Sequence, residues 1–349
     1  VKAVSKTKAG PGIEILEKDV PVPAEGEILV RVRACGLCGT DLSIFEWKEA
    51  RPGYRWLDSS VRIPVVLGHE FAGEVVEVGP MVQGIGVGDR VSASPVAPCG
   101  ECPMCLSGKR SSCPNSTLGM HLDGAMAGYV RVKDVADIYR LDDRVTYEVG
   151  ALLEPLSVAV HAVELSRIRP GDPAVIFGPG PIGLLLLLVL RASGAGFVGV
   201  MGTAGDRERM RLAGELGADL VVDVGDEHAL EMIGEGTEGA WPKVAYEASG
   251  NPMAIPRALR MLRVGGRLVL LGMYGSPAEF NPLDLVMGGK SVIGAVAYEA
   301  ASWRRAHELV SNGAIRPERI ITHRLPLEEA RKGFELAAKR EAVKVMFIP

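Results

Sequence analysis

The sequence predicts an α/β protein in two parts, a β-rich, barrel-like domain followed by a doubly wound parallel sheet. Three observations carry that prediction. Up to about residue 150 the chain runs as short strands between Gly/Pro turns, as in GEILVRVRACG, HEFAGEVVEVG, GDRVSAS and GYVRV. From Gly171 the rhythm changes to apolar runs alternating with helical stretches. The chain has 349 residues, which at ~150 residues per domain is too many for one small module.

In the second part PAVIFG, FVGVM, ADLVVDV, PKVAYEAS and GRLVLLG read as strands and SVIGAVA as a sixth, with RERMRLAGELGA and NPMAIPRALRMLR as helices between them. After Tyr298 come a helix, ASWRRAHELVSNG, and a strand, VKVMFIP, a tail expected to return to the first domain. The stretch from Pro173 to Leu190 is uncharged and reaches the ~18 residues of a membrane span. Three prolines and three glycines interrupt it, so a buried strand, a turn and a buried helix are expected instead.

Composition excludes several classes. The apolar fraction of 47% and net charge of −4 describe a chain that can build a core, not a disordered one. No basic excess or Lys/Arg run points to nucleic acid, so a small-molecule ligand is favoured. The opening VKAVSKTKAGPG has no apolar stretch behind its lysines, so neither signal peptide nor membrane anchor is expected and a cytoplasmic location is.

All six cysteines lie between Cys35 and Cys113, which favours local metal chemistry over a disulfide scaffold. Cys99-x2-Cys102-x2-Cys105-x7-Cys113 puts four thiols on one Gly/Pro-rich loop. Four soft sulfurs in a tetrahedron suit a closed, structural zinc. A second set is scattered: Cys38, Thr40 and Asp41, then His69 and Glu70, then Glu154 before Pro155. Each piece alone reads as core, turn or helix start. Together, one thiolate, one imidazole and one or two carboxylates make a mixed ligand set with an open position, as a catalytic zinc requires. Asp41 is placed to accept the second ring proton of His69. Cys35, left without a partner, is expected in the core.

The third constellation is Gly178-Pro179-Gly180-Pro181-Ile182-Gly183. It follows the strand PAVIF and opens the helix LLLLLVLRA, the context in which such a glycine string cradles a dinucleotide pyrophosphate. Other features read more plainly. His161 is expected to pack in a helix, DRERMR to start a solvated one, and Phe45, Trp47, Tyr54 and Trp56 to form either a self-packing loop or a substrate wall.

With GLCGTDL, GHEFAGEVVEVG, GDRV, the four-cysteine loop, LEPLSVAVH and FGPGPIG in that order, the whole chain resembles the zinc-dependent medium-chain alcohol and polyol dehydrogenases. Glu154 stands where many of those enzymes have a second cysteine, and Glu70 follows His69, a pattern similar to the sorbitol-type and L-threonine dehydrogenases. The resemblance implies a chaperonin-10-like (GroES-like) catalytic domain over 1–155, completed by 298–349. It also implies a Rossmann-like dinucleotide domain over 156–297 and a homodimer or homotetramer. It implies a catalytic zinc on Cys38, His69 and Glu70 or Glu154, with Thr40 as first proton relay. Ser43 replaces a histidine common in relatives, which sends the outer proton path through Ser43 and water.

The expected reaction is hydride transfer between a secondary alcohol or polyol and NAD(P), because a carboxylate-rich zinc site suits a hydroxylated substrate. L-threonine oxidation is the alternative, supported by CGTDLSIFEW and weakened by Ser43, and a non-catalytic zinc- and nucleotide-binding redox sensor is a third. For the cofactor, NAD sites usually have an acidic residue ~20 positions past the glycine string. Here FVGVM ends in Gly202 and Thr203 without one. Arg207 and Arg209 follow and suit a phosphate, so the sequence leans to NADP; Asp206, folded back onto the ribose, would restore NAD.

Overall fold

The computed structural model describes residues 1–47, 61–110, 113, 116–133 and 138–349. Its contacts divide the chain into two units, Val1–Glu154 with Glu299–Asn312 and Ile321–Pro349, and Pro155–Tyr298 with Gly313–Ile320. The expected tail boundary differs in one segment. Residues 313–320 join the second unit, where Arg319 donates to the carbonyl of Glu215 at 2.8 Å.

In the first unit, strands β1 (Lys2–Lys6), β2 (Glu14–Glu17) and β4 (Val65–Val66) form a small antiparallel sheet in the order β2-β1-β4. A larger sheet is built on β3 (Ile28–Gly36), whose apolar positions are buried while Arg31 and Arg33 point to solvent. β3 pairs along its length with β5 (Glu70–Val78), which continues to β6 (Arg90–Ala93) and β8 (Ile138–Arg140). Its other edge is shared. β7 (Tyr129–Val132) takes the first residues, Ile28 to Arg31, and the tail takes the last two. The core beneath includes Val30, Phe71, Val91, Met126 and Phe347.

The second unit is a six-stranded parallel sheet. It comprises β9 (Ala174–Phe177), β10 (Val198–Gly202), β11 (Leu220–Asp223), β12 (Val244–Glu247), β13 (Arg267–Leu270) and β14 (Ser291–Gly294). The order β11-β10-β9-β12-β13-β14 is that of a doubly wound fold and reverses between β9 and β12. Strands covered on both faces need continuous apolar runs, which is why these read so clearly in sequence. The helix Pro181–Ala192 starts with proline at its first position and buries Leu184, Leu185, Leu186, Leu187 and Leu190 completely. Each buried leucine contributes roughly 1.5–3 kcal/mol. The uncharged stretch is therefore strand, turn and core helix. No helix among the described residues is long and apolar enough to cross a membrane.

The chain then returns to the first unit. β15 (Ile321–Pro326) lies parallel to β16 (Lys344–Ile348), and β16 pairs antiparallel with the end of β3, Met346 opposite Gly36 and Phe347 opposite Cys35.

Candidate metal centre and dinucleotide site

The four-cysteine loop folds on itself. Sγ of Cys99 lies 3.9 Å from that of Cys105, and Sγ of Cys102 lies 3.9 Å from that of Cys113. All four sulfurs lie within 4.8 Å of one another, and all are free thiols. Four thiols this close have the donor set of a site for one soft cation.

The scattered set also converges. Cys38 precedes the helix Gly39–Glu46, where the helix dipole favours a negative sulfur. His69 immediately precedes β5 and Glu70 opens it, and the register opposes Glu70 to Gly36. Ligand atoms of Cys38, His69 and Glu70 lie within 4.8 Å of one another. Gly36 makes room for this arrangement, since a Cβ there would run into the Glu70 carboxylate and sit 3.0 Å from Cε of Lys344.

Asp41 is fully buried behind the group, but it does not bond to the imidazole as expected. Its Oδ1 is 3.8 Å from Nδ1 of His69, too far for a hydrogen bond. Its oxygens accept instead from the backbone amides of Cys38 at 3.0 Å and Gly68 at 3.1 Å. Asp41 thus braces the two segments that carry the ligands. Nδ1 of His69 is buried with no hydrogen-bond partner. Burial alone would lower the His69 imidazole, yet the neighbouring Cys38 and Asp41 outweigh it and hold it well above its usual range. A thiol, an imidazole and a carboxylate whose ligand atoms lie this close are what a divalent cation would satisfy, so these residues fit zinc.

Glu154 lies in the first turn of the helix Leu153–Ser166, outside that close triad, and its charge is felt at His69. Burial pushes its carboxyl up to about 7 against the opposing pull of His69. Thr40 is partly buried beside Cys38. Ser43 is exposed and donates its hydroxyl proton to the carbonyl of Gly39 at 3.0 Å, so only its lone pairs stay open. Cys35 is wholly buried, as a core residue. His161 is half-buried in the helix that carries Glu154. Phe45 packs on Phe334 at 5.0 Å and Lys6 lies 4.8 Å over Trp47; Tyr54 and Trp56 lie outside the described residues.

At the metal centre one residue was missed altogether. Lys344, first in β16, is buried and donates to the Glu70 carboxylate and to the carbonyl of Leu37 at 3.0 Å. Burial would lower its pKa, but Glu70 and Cys38 outweigh that and raise it, so it stays cationic. The only sequence signal was a lysine inside an apolar strand.

In the second unit the glycine string turns from β9 into its helix as expected. Gly178 has φ +100°, and a Cβ there would meet Ser249 at 2.8 Å, so glycine is required twice over. Gly180 precedes Pro181, with Ile182 and Gly183 in the first turn. Gly202 ends β10 and is buried. Asp206 is folded onto Thr203, accepting from its hydroxyl at 2.6 Å and its amide at 3.2 Å. Arg209 leans on Asp206 at 3.9 Å, whereas Arg207 is exposed.

Residues 24–143 match the family described as alcohol dehydrogenase GroES-like domain, and residues 181–312 match zinc-binding dehydrogenase. An L-threonine 3-dehydrogenase of Bacillus licheniformis is 36% identical over 100% of this chain and 99% of its own length. A D-arabitol-phosphate dehydrogenase of Enterococcus avium is 34% identical over 99% of this chain and 97% of its own. Among solved structures, a zinc-binding dehydrogenase of Sinorhizobium meliloti bound to NADP superposes with a TM-score of 0.89 at 34% identity, covering 100% of this chain and 99% of that one.

Proposed function

Because this chain belongs to the zinc-dependent medium-chain alcohol and polyol dehydrogenases, with a GroES-like and a Rossmann-like domain, we propose that its substrate is the secondary hydroxyl of a polyol or vicinal diol. The enzyme uses zinc and NAD(P) on a small molecule. The finer assignments are ours: two zinc ions per chain, NADP over NAD, and a cytoplasmic homodimer or homotetramer. The zinc-binding catalytic part is assigned to the first unit and the dinucleotide to the second.

The observation that carries this reading is the convergence of Cys38, His69 and Glu70 within 4.8 Å, with the buried Asp41 beside them. When bound there, zinc supplies Lewis-acid polarisation of the substrate hydroxyl. Cys38 and His69 would hold the ion, while Asp41 fixes their segments through two backbone amides. Thr40 accepts the hydroxyl proton and passes it towards the open lone pairs of Ser43 and solvent. Glu70, paired with Lys344, and Glu154 line the site with polar groups that favour a polar substrate over an alkyl chain. A nicotinamide cofactor bound to the second unit would supply the acceptor for the hydride.

The lean to NADP is supported by the commitment of Asp206 to Thr203, which leaves the end of β10 without a free carboxylate, and by the NADP-bound relative. Arg207 is the better phosphate partner, since Arg209 is turned to Asp206. Self-association is supported by β14, an edge strand whose residue Val292 is 37% exposed beside the exposed Leu283, Val286 and Met287.

A second reading, L-threonine oxidation, is favoured by the Bacillus licheniformis relative. Following nicotinamide absorbance over sorbitol, arabitol, 2,3-butanediol, L-threonine and ethanol with both cofactors separates these readings. Turnover of a polyol or diol at least tenfold above ethanol and L-threonine is expected. Activity on L-threonine alone would replace the proposal, and activity on none would remove it.

A further inference from the structure

Glu247 closes β12, is wholly buried, and has no part in the site described so far. Its carboxylate is a hub. Oε1 accepts from the amide of Ser249 at 2.8 Å and from the Ser249 hydroxyl. Oε2 accepts from the amide of Gly250 at 3.2 Å and from the Tyr274 hydroxyl. The Glu247 carbonyl meanwhile accepts from the amides of Leu271 at 2.8 Å and Gly272 at 3.0 Å. The loops after β12 and after β13 are thus tied to one side chain and its backbone.

A buried carboxylate with no cation beside it is costly unless donors saturate it. All four donors here come from those two loops. The loops stand at the carboxyl ends of adjacent strands, on the far side of the strand-order reversal from β10. Doubly wound sheets bind their ligands in that crevice. The amide of Ala248 donates to the carbonyl of Phe177 at 2.9 Å, and Ser249 backs directly onto Gly178 of the glycine string. The glycine string and the end of β10 serve the pyrophosphate and adenosine. The loops after β12 and β13 are left for the other half of the dinucleotide.

We infer that Glu247 is a positioning residue for the nicotinamide half of the cofactor. Assisted by Tyr274, it holds residues 248–251 and 271–274 in the shape that receives the nicotinamide riboside. The inference rests on the dehydrogenase reading above. It differs from a general structural role, which would support both halves of the cofactor alike.

The test separates the halves. Zinc-loaded wild type, Glu247→Gln, Tyr274→Phe and Ser249→Ala are titrated with NADH and NADPH by nicotinamide fluorescence, and with ADP-ribose and its 2′-phosphate by calorimetry. We expect Glu247→Gln to weaken the reduced dinucleotides at least tenfold and Tyr274→Phe at least threefold, with a shifted emission of the bound nicotinamide. The two ribose fragments should bind within twofold of wild type. Equal weakening of fragments and dinucleotides, or no change in either, overturns the inference. If Glu247→Gln does not fold, Tyr274→Phe and Ser249→Ala decide by the same ratio. Wild type that binds neither kind of ligand would overturn the dinucleotide reading and this inference with it.

Discussion

Lys344 and Glu70, 274 positions apart in the chain, form an ion pair in which both side chains are 2% exposed. Removing one partner leaves the other charge buried and unpaired. Lys344→Met is therefore expected to cost ~3–5 kcal/mol of stability, while the double variant Glu70→Gln/Lys344→Met recovers much of it. Urea titration of the four proteins of this cycle measures the coupling.

Metal content separates the two ligand sets. Fresh protein should carry two zinc ions per chain by elemental analysis. Cys102→Ser should lose an ion together with thermal stability, because a closed site contributes folding energy. Cys38→Ser should keep the fold and the loop ion while turnover falls below a thousandth of wild type.

The Glu154 carboxyl, pushed up to about 7 by burial, makes the chelator-treated protein sensitive to pH. Its folded pKa is raised above the unfolded value, so the contribution is fully present below the ordinary carboxyl range and is lost as pH rises through about 7. Melting temperature should fall across that window in wild type and stay flatter in Glu154→Gln. With zinc restored, Glu154→Ala should lower kcat at least tenfold, about 1.4 kcal/mol of barrier, in steady-state assays.

Cofactor choice turns on Arg207. Comparing kcat/KM, NADP should be preferred, and Arg207→Ala should weaken NADP at least tenfold more than NAD. Arg209→Ala should do less, since that side chain leans on Asp206.

The exposed edge at β14 predicts its own disruption. Val292→Asp on that strand, with Val286→Asp in the exposed helix Leu283–Val286, should shift the oligomer towards monomer in light scattering after gel filtration, because charge opposes both strand pairing at an open edge and burial of an apolar patch.

The parallel strands were legible because burial on both faces forces unbroken apolar runs, and the loop thiols because their ligands are close in sequence. β2, EILE, shows the opposite: every residue is exposed, so no alternation marks it. Asp41 was rightly set beside His69 but given the wrong bond, since sequence does not reveal that two backbone amides compete for its oxygens. Lys344 and Glu247 escaped notice because a charged residue inside an apolar strand reads as a solvent-facing one. Only tertiary pairing shows that each is saturated in the interior.

The two ligand sets differ in how far the chain must travel to complete them. Cys99 and Cys113 are 14 residues apart, a short loop that four thiols can close around an ion while the surrounding sheets are still unformed. Cys38, His69 and Glu70 meet only after β3 has paired with β5, and Lys344 joins them only once β16 has docked. Loop entropy itself grows slowly, by ~0.6 kcal/mol per doubling of length, so the delay comes from the number of separate segments that must be in place. Loading should therefore be sequential. The cysteine loop can capture metal from an incompletely folded chain, whereas the mixed site selects its ion from a finished scaffold.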